Sequence, residues 1–323
     1  MTILITGAGL IASHVGREFQ RMGEDPVLYD LSPSMPYLAT VMEAKPEHVY
    51  SGDITDLRGL TRVLEENKVS AIVHTAGLIG ANASRQPIHG FQVNVQGSMM
   101  IAEAARLTGV SKIVFCSTMA VYDFERIPSK GLISEDSPIG PKNFYAATKI
   151  AGEHLLDQYG RIHDIQIVNL RLAGVYGRGQ YIGGSWMGRI VNRILEACLT
   201  HQEVSVMPEW LGINEYIYVK DIARSVGMIC KSQNTSGVFN IGCGLLHTFD
   251  EFIAEIRKIA PDSKIIVAPS ETPTVGYLLR DQPFDVTKAK KELGFQAQFS
   301  LQSGLTDYLN ELSKWRGAYP RLD

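Results

Sequence analysis

The sequence is poor in cysteine, with four in 323 residues: Cys116, Cys198, Cys230 and Cys243. Their spacing suits neither a metal site nor a disulfide framework, so the chain reads as a cytoplasmic protein with reduced core thiols. An excess of charge is also missing. The formal net charge is −3, which leaves no basic surface to recommend a nucleic-acid partner. No apolar run is long enough to cross a membrane, and the apolar stretch near the start, Ile3-Leu4-Ile5, is short enough to be a strand rather than a leader. No membrane partner is therefore expected. What remains is 45% apolar content, sufficient for the core of a large α/β unit with a smaller appendage.

The motifs with chemistry begin directly after that first strand. Thr6-Gly7-Ala8-Gly9-Leu10-Ile11-Ala12 forms a tight glycine turn leading into a helix. Gly7 permits the turn, Gly9 lets backbone approach a pyrophosphate, and small Ala12 allows close helix packing. The helix N-terminus, at Leu10 and Ile11, then faces the anion. A second strand, Pro26 to Tyr29, ends at Asp30, where an acid is expected to bond the adenosine ribose. No Arg or Lys follows before Lys45, so NAD is favoured over NADP. Asp30 has an alternative reading, as the start of a turn before Ser32-Pro33.

The run Tyr145-Ala146-Ala147-Thr148-Lys149 puts a phenol and an ammonium on one helical face. A free phenol has a pKa of roughly 10, and a nearby positive charge favours phenolate. This pair can therefore take the proton of an alcohol while a hydride leaves the same carbon for a nicotinamide. A Tyr and a Lys at this spacing also occur by chance. Together with the glycine turn, and in this order, they carry a functional reading.

Strands are expected at Val49 to Ser51, Ala71 to Thr75, Lys112 to Ser117 and Ile165 to Leu170. Helices are expected at Leu57 to Glu66, Phe91 to Leu107 and Tyr145 to Gln158. Alternation of this kind predicts an α/β fold, a Rossmann-type doubly wound parallel sheet with ligands at the carboxyl ends of its strands. Residues 1–172 would form the NAD-binding domain. Residues 173–323 would form a smaller C-terminal substrate lobe, partly interleaved with the main sheet.

Further motifs give the chain a family resemblance over nearly its whole length. They are Gly52-Asp53-Ile54-Thr55-Asp56, His74-Thr75-Ala76-Gly77, Asn94-Val95-Gln96-Gly97, Cys116 to Tyr122, Leu170 to Gly177 and Asp285 to Phe295. With the Tyr/Lys pair, these resemble the extended short-chain dehydrogenase/reductases, the NAD-dependent epimerases and dehydratases. The resemblance implies Tyr145 as acid/base, with Lys149 binding ribose and lowering the tyrosine pKa. Thr118 stands where the family has a hydroxyl for the reacting oxygen, and its alternative reading is a strand-end threonine bonding its own backbone. Asp53 and Ile54 are implied adenine contacts, and Ala76, Gly77 and Asn94 further cofactor contacts. The chain departs from the family at Asp123, which replaces a glycine, and in its shorter first glycine turn.

The absence of Asp-Glu after Thr118, where Met119 and Ala120 stand, argues against dehydration. Gly174 and Asn214-Glu215 replace donors that many nucleotide-sugar epimerases use for a diphosphate, and a further Arg falls near Val275 unless Arg280 substitutes. On these absences the leading expectation is an oxidoreductase acting on a secondary alcohol of a carbohydrate-like or hydroxy-acid small molecule. The alternative is a nucleotide-sugar epimerase using the same residues with transient oxidation, and a non-catalytic NAD sensor is a third. Asn82, Ser84 and Arg85 could line the crevice, as could Tyr181, Trp186 and Trp210. The resemblance also implies a homodimer, with Met99, Met100, Ala104, Leu107, Ile150, His154 and Leu155 as available apolar and neighbouring positions.

Overall fold

The computed structural model describes residues 1–179, 185–269 and 281–315. Strands β1 (Ile3–Thr6), β2 (Val27–Asp30), β3 (Val49–Ser51), β4 (Ala71–His74), β5 (Lys112–Thr118) and β6 (Gln166–Leu172) follow the expected alternation. Between them run α1 (Leu10–Arg21), α2 (Met35–Val41), α3 (Leu57–Glu66), α4 (Ala81–Arg85), α5 (Pro87–Phe91), α6 (Gly97–Thr108) and α7 (Phe144–His163). The remaining elements are β7 (Gly174–Tyr176), α8 (Trp186–Thr200), β8 (Glu203–Val206), β9 (Tyr216–Tyr218), α9 (Val219–Lys231) and β10 (Gly237–Ile241). They are followed by α10 (Phe249–Ile259), β11 (Lys264–Val267), α11 (Thr287–Leu293) and α12 (Leu301–Lys314).

Seven parallel strands form the main sheet in the order β10-β6-β5-β4-β1-β2-β3. This is the doubly wound α/β architecture expected from the alternation. Its central strands are nearly continuous apolar runs because helices cover both faces. Successive side chains divide between two cores. Ile3, Ile5, Val73, Val114 and Leu170 face one, and Leu4, Ile72, Ile113, Phe115 and Ile167 the other. A third core joins Tyr176, Ile190, Ile194, Phe252, Leu305 and their neighbours beyond the sheet. There β7 pairs with β9, and β8 with β11. The chain then returns, with β10 extending the sheet beside β6 and α9 lying along α1.

Two helices differ from their expected forms. The single helix expected over Phe91 to Leu107 is interrupted by a π turn at Gln92–Gln96. Its widened turn turns Asn94 inward, 2% exposed. Helix α7 outruns the expected stop at Gln158 and ends only at Asp164, in the left-handed conformation. Gly160 lies inside it, where a Cβ would stand 2.6 Å from the Ile165 carbonyl oxygen. The glycine thus permits close approach to the following strand rather than ending the helix.

The last helix is tied to the first. Glu311 of α12 accepts from Arg17 of α1 at 2.6 Å and pairs with Lys220 of α9 at 2.7 Å. Arg17 also pairs with Glu43 at 2.7 Å. Among the described residues, no helix is long and apolar enough to cross a membrane.

Candidate active site

The glycine turn leaves the carboxyl end of β1 with Gly7 at φ +87°. A Cβ there would meet Thr75 Oγ1 at 2.9 Å and Ala76 N at 3.2 Å, so glycine serves both the turn and the close approach of β4's exit. A Cβ at Gly9 would meet nothing within 4 Å. Gly9 starts α1 without a side-chain cap, which leaves first-turn N–H groups open to an anion. Leu10 and Ile11 are half-buried, packing also against the third core. Ala12 is fully buried.

Asp30 starts the turn before Ser32-Pro33 and also ties back to the glycine turn. Its Oδ2 accepts from Ala8 N at 2.8 Å, inside the glycine turn, and its Oδ1 accepts from Ser32 N at 2.8 Å. Each oxygen keeps acceptor capacity beyond those bonds. Asp53 is exposed and closes its own turn, with Oδ1 accepting from Thr55 N and Thr55 Oγ1. Ile54 is buried against Gly97, the first residue of α6. An open turn, an uncapped helix N-terminus and an acid at the end of β2 together fit a dinucleotide.

Ala76 and Gly77 lie where the chain leaves β4. Asn94 acts on that backbone with both ends of its amide, accepting from Leu78 N at 2.7 Å and donating to Leu78 O at 2.9 Å. It also donates to Thr148 Oγ1 at 2.9 Å. The expected contact residue is therefore a brace between the cofactor strand and α7. His74 behind it bonds Thr6 Oγ1 at 2.7 Å and Ser98 Oγ at 3.1 Å.

Tyr145 and Lys149 share the inner face of α7, whose N-terminus is capped by Asn143 Oδ1 accepting from Ala146 N at 2.9 Å. Lys149 is 4% exposed. Its Nζ lies 4.4 Å from the Phe115 ring centre and points past Gly77 toward the cofactor side. Burial pushes Lys149 down to about 8, against opposing contributions from Cys116 and Glu153. Burial pushes the Tyr145 phenol above its ordinary value, and a hydrogen bond with Thr118 works the other way. Thr118 Oγ1 also accepts from Ala120 N at 3.2 Å. Its backbone-capping and its site-facing readings therefore coexist.

The sequence reading missed a buried polar cluster behind these groups. Glu153, one turn beyond Lys149, takes Arg171 bidentately, with Nη2 to Oε2 at 2.7 Å, and accepts from Ser117 Oγ. Arg171 also donates to Tyr122 Oη at 3.0 Å and to the Glu135 carbonyl at 2.9 Å. The signals available were the third helical repeat, Tyr145, Lys149, Glu153, and an arginine inside an apolar strand.

Elsewhere, Glu215 is fully buried and accepts from Gly244 N and Phe284 N, at 2.9 and 2.8 Å. Asp123 packs on Gly140, where a Cβ would stand 2.6 Å from it. Ser84 and Arg85 are exposed on α4, and Asn82 is half-buried. Trp186, 54% exposed, meets Trp210 edge to face at 6.0 Å. Tyr181, Val275 and Arg280 lie outside the described residues. All four cysteines are free.

The chain matches the family model described as "NAD dependent epimerase/dehydratase family" over residues 3–242. It is 31% identical over 314 residues to a UDP-glucose 4-epimerase of Mycolicibacterium smegmatis, covering 94% of this chain and 96% of that one. Identity to the UDP-glucose 4-epimerase of Bacillus subtilis is 28%, covering 95% of each. The Thermus thermophilus UDP-glucose 4-epimerase, solved in complex with NAD, superposes with a TM-score of 0.80 at 26% identity, over 99% of this chain and 100% of that one. The protein belongs to the NAD dependent epimerase/dehydratase family. It is an NAD-dependent enzyme with a Rossmann-type fold.

Proposed function

We propose that this protein is a nucleotide-sugar 4-epimerase, acting on a UDP-hexose by transient oxidation with no net redox change. Of the two readings open from sequence, relatives similar over nearly the whole chain support this one rather than net oxidation of a smaller alcohol. That likeness carries the reading, and the meeting of Tyr145, Thr118 and Lys149 beside the glycine turn supports the oxidation step that both readings share.

NAD, when bound, accepts a hydride from the substrate carbon and returns it. The residues of the chain do the rest. Gly7, Gly9, Leu10 and Ile11 present backbone to the pyrophosphate, and Asp30 accepts from the adenosine ribose. Asp53 and Ile54 flank the adenine. Ala76 and Gly77, held by Asn94, line the nicotinamide side. Thr118 donates to the reacting oxygen while Tyr145 takes its proton and later returns it. Lys149 holds the nicotinamide ribose, and its charge supports the phenolate once the site is closed around cofactor and substrate. Because burial, and to a lesser degree Cys116, raise the phenol, this support is assigned to the loaded site.

Residues 1–172 are read as the nucleotide-binding part and 173–323 as the part that selects the sugar nucleotide, with β10 and α9 returned to the first. The four free thiols support a reducing, cytoplasmic setting. A homodimer through α6 and α7 is supported by exposed Leu107, Leu155 and Ile162, at 50%, 39% and 72%. Ala104, open between the interface and the sheet, is buried in the core.

The test supplies NAD and UDP-glucose and measures both absorbance of reduced cofactor and UDP-galactose. Conversion without accumulating NADH is expected. Stoichiometric NADH, or no conversion while a free sugar or hydroxy acid is oxidised, would overturn the epimerase reading.

A further inference from the structure

Lys149 sits in an unusual electrostatic position. It is buried, and among the described residues no carboxylate lies within ion-pair distance of it. The groups that act on it are Glu153 from its own helix, Cys116 from β5, His74 from β4 and, beyond Glu153, Arg171 from β6, with Tyr145 one helical turn before it. Asn94 adds a neutral amide from the π turn.

Glu153 is 2% exposed and lies one helical turn from Lys149. Its carboxylate does not reach forward to the ammonium. Arg171 holds it from behind, with Nε at 3.2 Å from both oxygens and Nη2 at 2.7 Å from Oε2. Ser117 binds the same carboxylate from the neighbouring strand and is the residue opposite Arg171 in the β5/β6 ladder. The pair thus presents a buried dipole to the site, its negative end on the Lys149 helix and its positive end on the sheet.

We propose that the buried Glu153–Arg171 pair is a positioning element that sets the charge state of Lys149 from behind the site, and through Ser117 fixes the strand end carrying Thr118. The proposal rests on the reading of Lys149 as the ribose-binding residue. Neither member touches cofactor or substrate, and both act through their neighbours.

The physical consequence has a sign that packing alone does not share. Removing the carboxylate leaves an uncompensated guanidinium near a buried ammonium, which disfavours the charged lysine. Removing the guanidinium leaves an uncompensated carboxylate, which favours it. Each change destabilises the fold, because each leaves a lone buried charge. Their effects on Lys149 are opposite. Between pH 7 and 10 Lys149 is the facing group that titrates, since burial takes Cys116 up to about 11, Tyr145 above its ordinary value and His74 down to about 3.

The experiment measures the NAD dissociation constant by calorimetry, and kcat/KM with UDP-glucose, from pH 6.5 to 10. The variants are Glu153→Gln, Arg171→Gln, the double variant and Lys149→Met. Glu153→Gln is expected to move the alkaline loss of both quantities down by about one pH unit, the size expected of a unit charge a helical turn away in a partly screened interior. Arg171→Gln is expected to move it up. The double variant removes both buried charges and folds best of the three. Because the carboxylate is the end nearer Lys149, it moves the limb down by less than Glu153→Gln, so the test survives failure of a single variant to fold. Coincident limbs in every folded variant would overturn the proposal, as would shifts of the two single variants in the same direction. Lys149→Met separates the two levels. If it keeps activity and the alkaline limb, the reading of Lys149 itself fails. If it abolishes both while the charge variants leave the parent limb unmoved, only the role of the pair fails.

Discussion

At the scale of single residues, the site depends on a phenol that its surroundings hold protonated. Burial raises Tyr145, and the Thr118 hydrogen bond is the group opposing it. Tyr145→Phe should cost on the order of 10²- to 10⁴-fold in kcat, the usual worth of a positioned acid/base, with NAD affinity retained. Activity within a few-fold of the parent would remove Tyr145 from the mechanism. Thr118→Val should lower kcat, since the hydroxyl that bonds the phenol is lost, and Thr118→Ser should restore it. The motifs that carry Tyr145, Thr118 and Lys149 were legible in the sequence, and the direction of the Tyr145 and Lys149 pKa shifts was not. A helical spacing says that two side chains share a face. It does not say whether burial or a neighbouring charge dominates there, and at Tyr145 burial dominates.

At the scale of elements, the joint between β4, the π turn and α7 is the most exacting part. Asn94 satisfies Leu78 N, Leu78 O and Thr148 at once. Asn94→Ala leaves buried backbone groups unpaired, and a loss of about 2–4 kcal/mol is expected in denaturant titrations. NAD affinity should fall with it, because the Ala76-Gly77 backbone loses its brace. Unchanged stability and unchanged NAD affinity would refute the bracing role. The sequence made Asn94 visible as a motif residue, but a reading of Phe91 to Leu107 as one regular helix passed over the π turn that aims it inward. Asp30 shows the converse. Its two sequence readings competed; the turn is formed, and the carboxylate bonded to Ala8 and Ser32 keeps acceptor capacity for a further donor.

At the scale of the whole molecule, buried histidines couple the fold to pH. His14 bonds the Arg178 carbonyl oxygen at 3.0 Å. Burial pushes it down to about 4, and His74 down to about 3, from an ordinary 6.5. A histidine held neutral by folding contributes stability that is fully present above 6.5 and is lost as pH falls toward those values. The two together should lower stability by several kcal/mol, roughly 3 for His14 and roughly 5 for His74, once pH is below both values. The loss begins below about pH 6.5 and can be followed by urea titration at successive pH values, with His14→Gln flattening the dependence. A midpoint unchanged from pH 7 to pH 4.5 would refute it. Assembly belongs to this scale too. Leu155→Glu on the exposed face of α7 should convert a dimer to a monomer in light scattering while leaving NAD affinity intact, and a parent protein that is monomeric at all concentrations would overturn the interface.

The sequence alone determined the class of this protein. Apolar runs separated by helical stretches require a covered parallel sheet, and the glycine turn, Asp30 and the Tyr145/Lys149 pair are local patterns readable within one element or across one turn. Absences in the sequence were weaker guides. Missing phosphate donors at Gly174 and Asn214 pointed away from nucleotide sugars, whereas likeness over the whole chain points toward them. Tertiary structure decided what depends on contacts between distant segments. The pairing of Glu153 with Arg171 and Ser117, the use of Glu215 to bind two backbone amides, and the anchoring of α12 on α1 through Glu311 and Arg17 each join residues far apart in sequence. Periodicity reports which face of an element is buried, but the partner that a buried charge will find is fixed only when the elements pack.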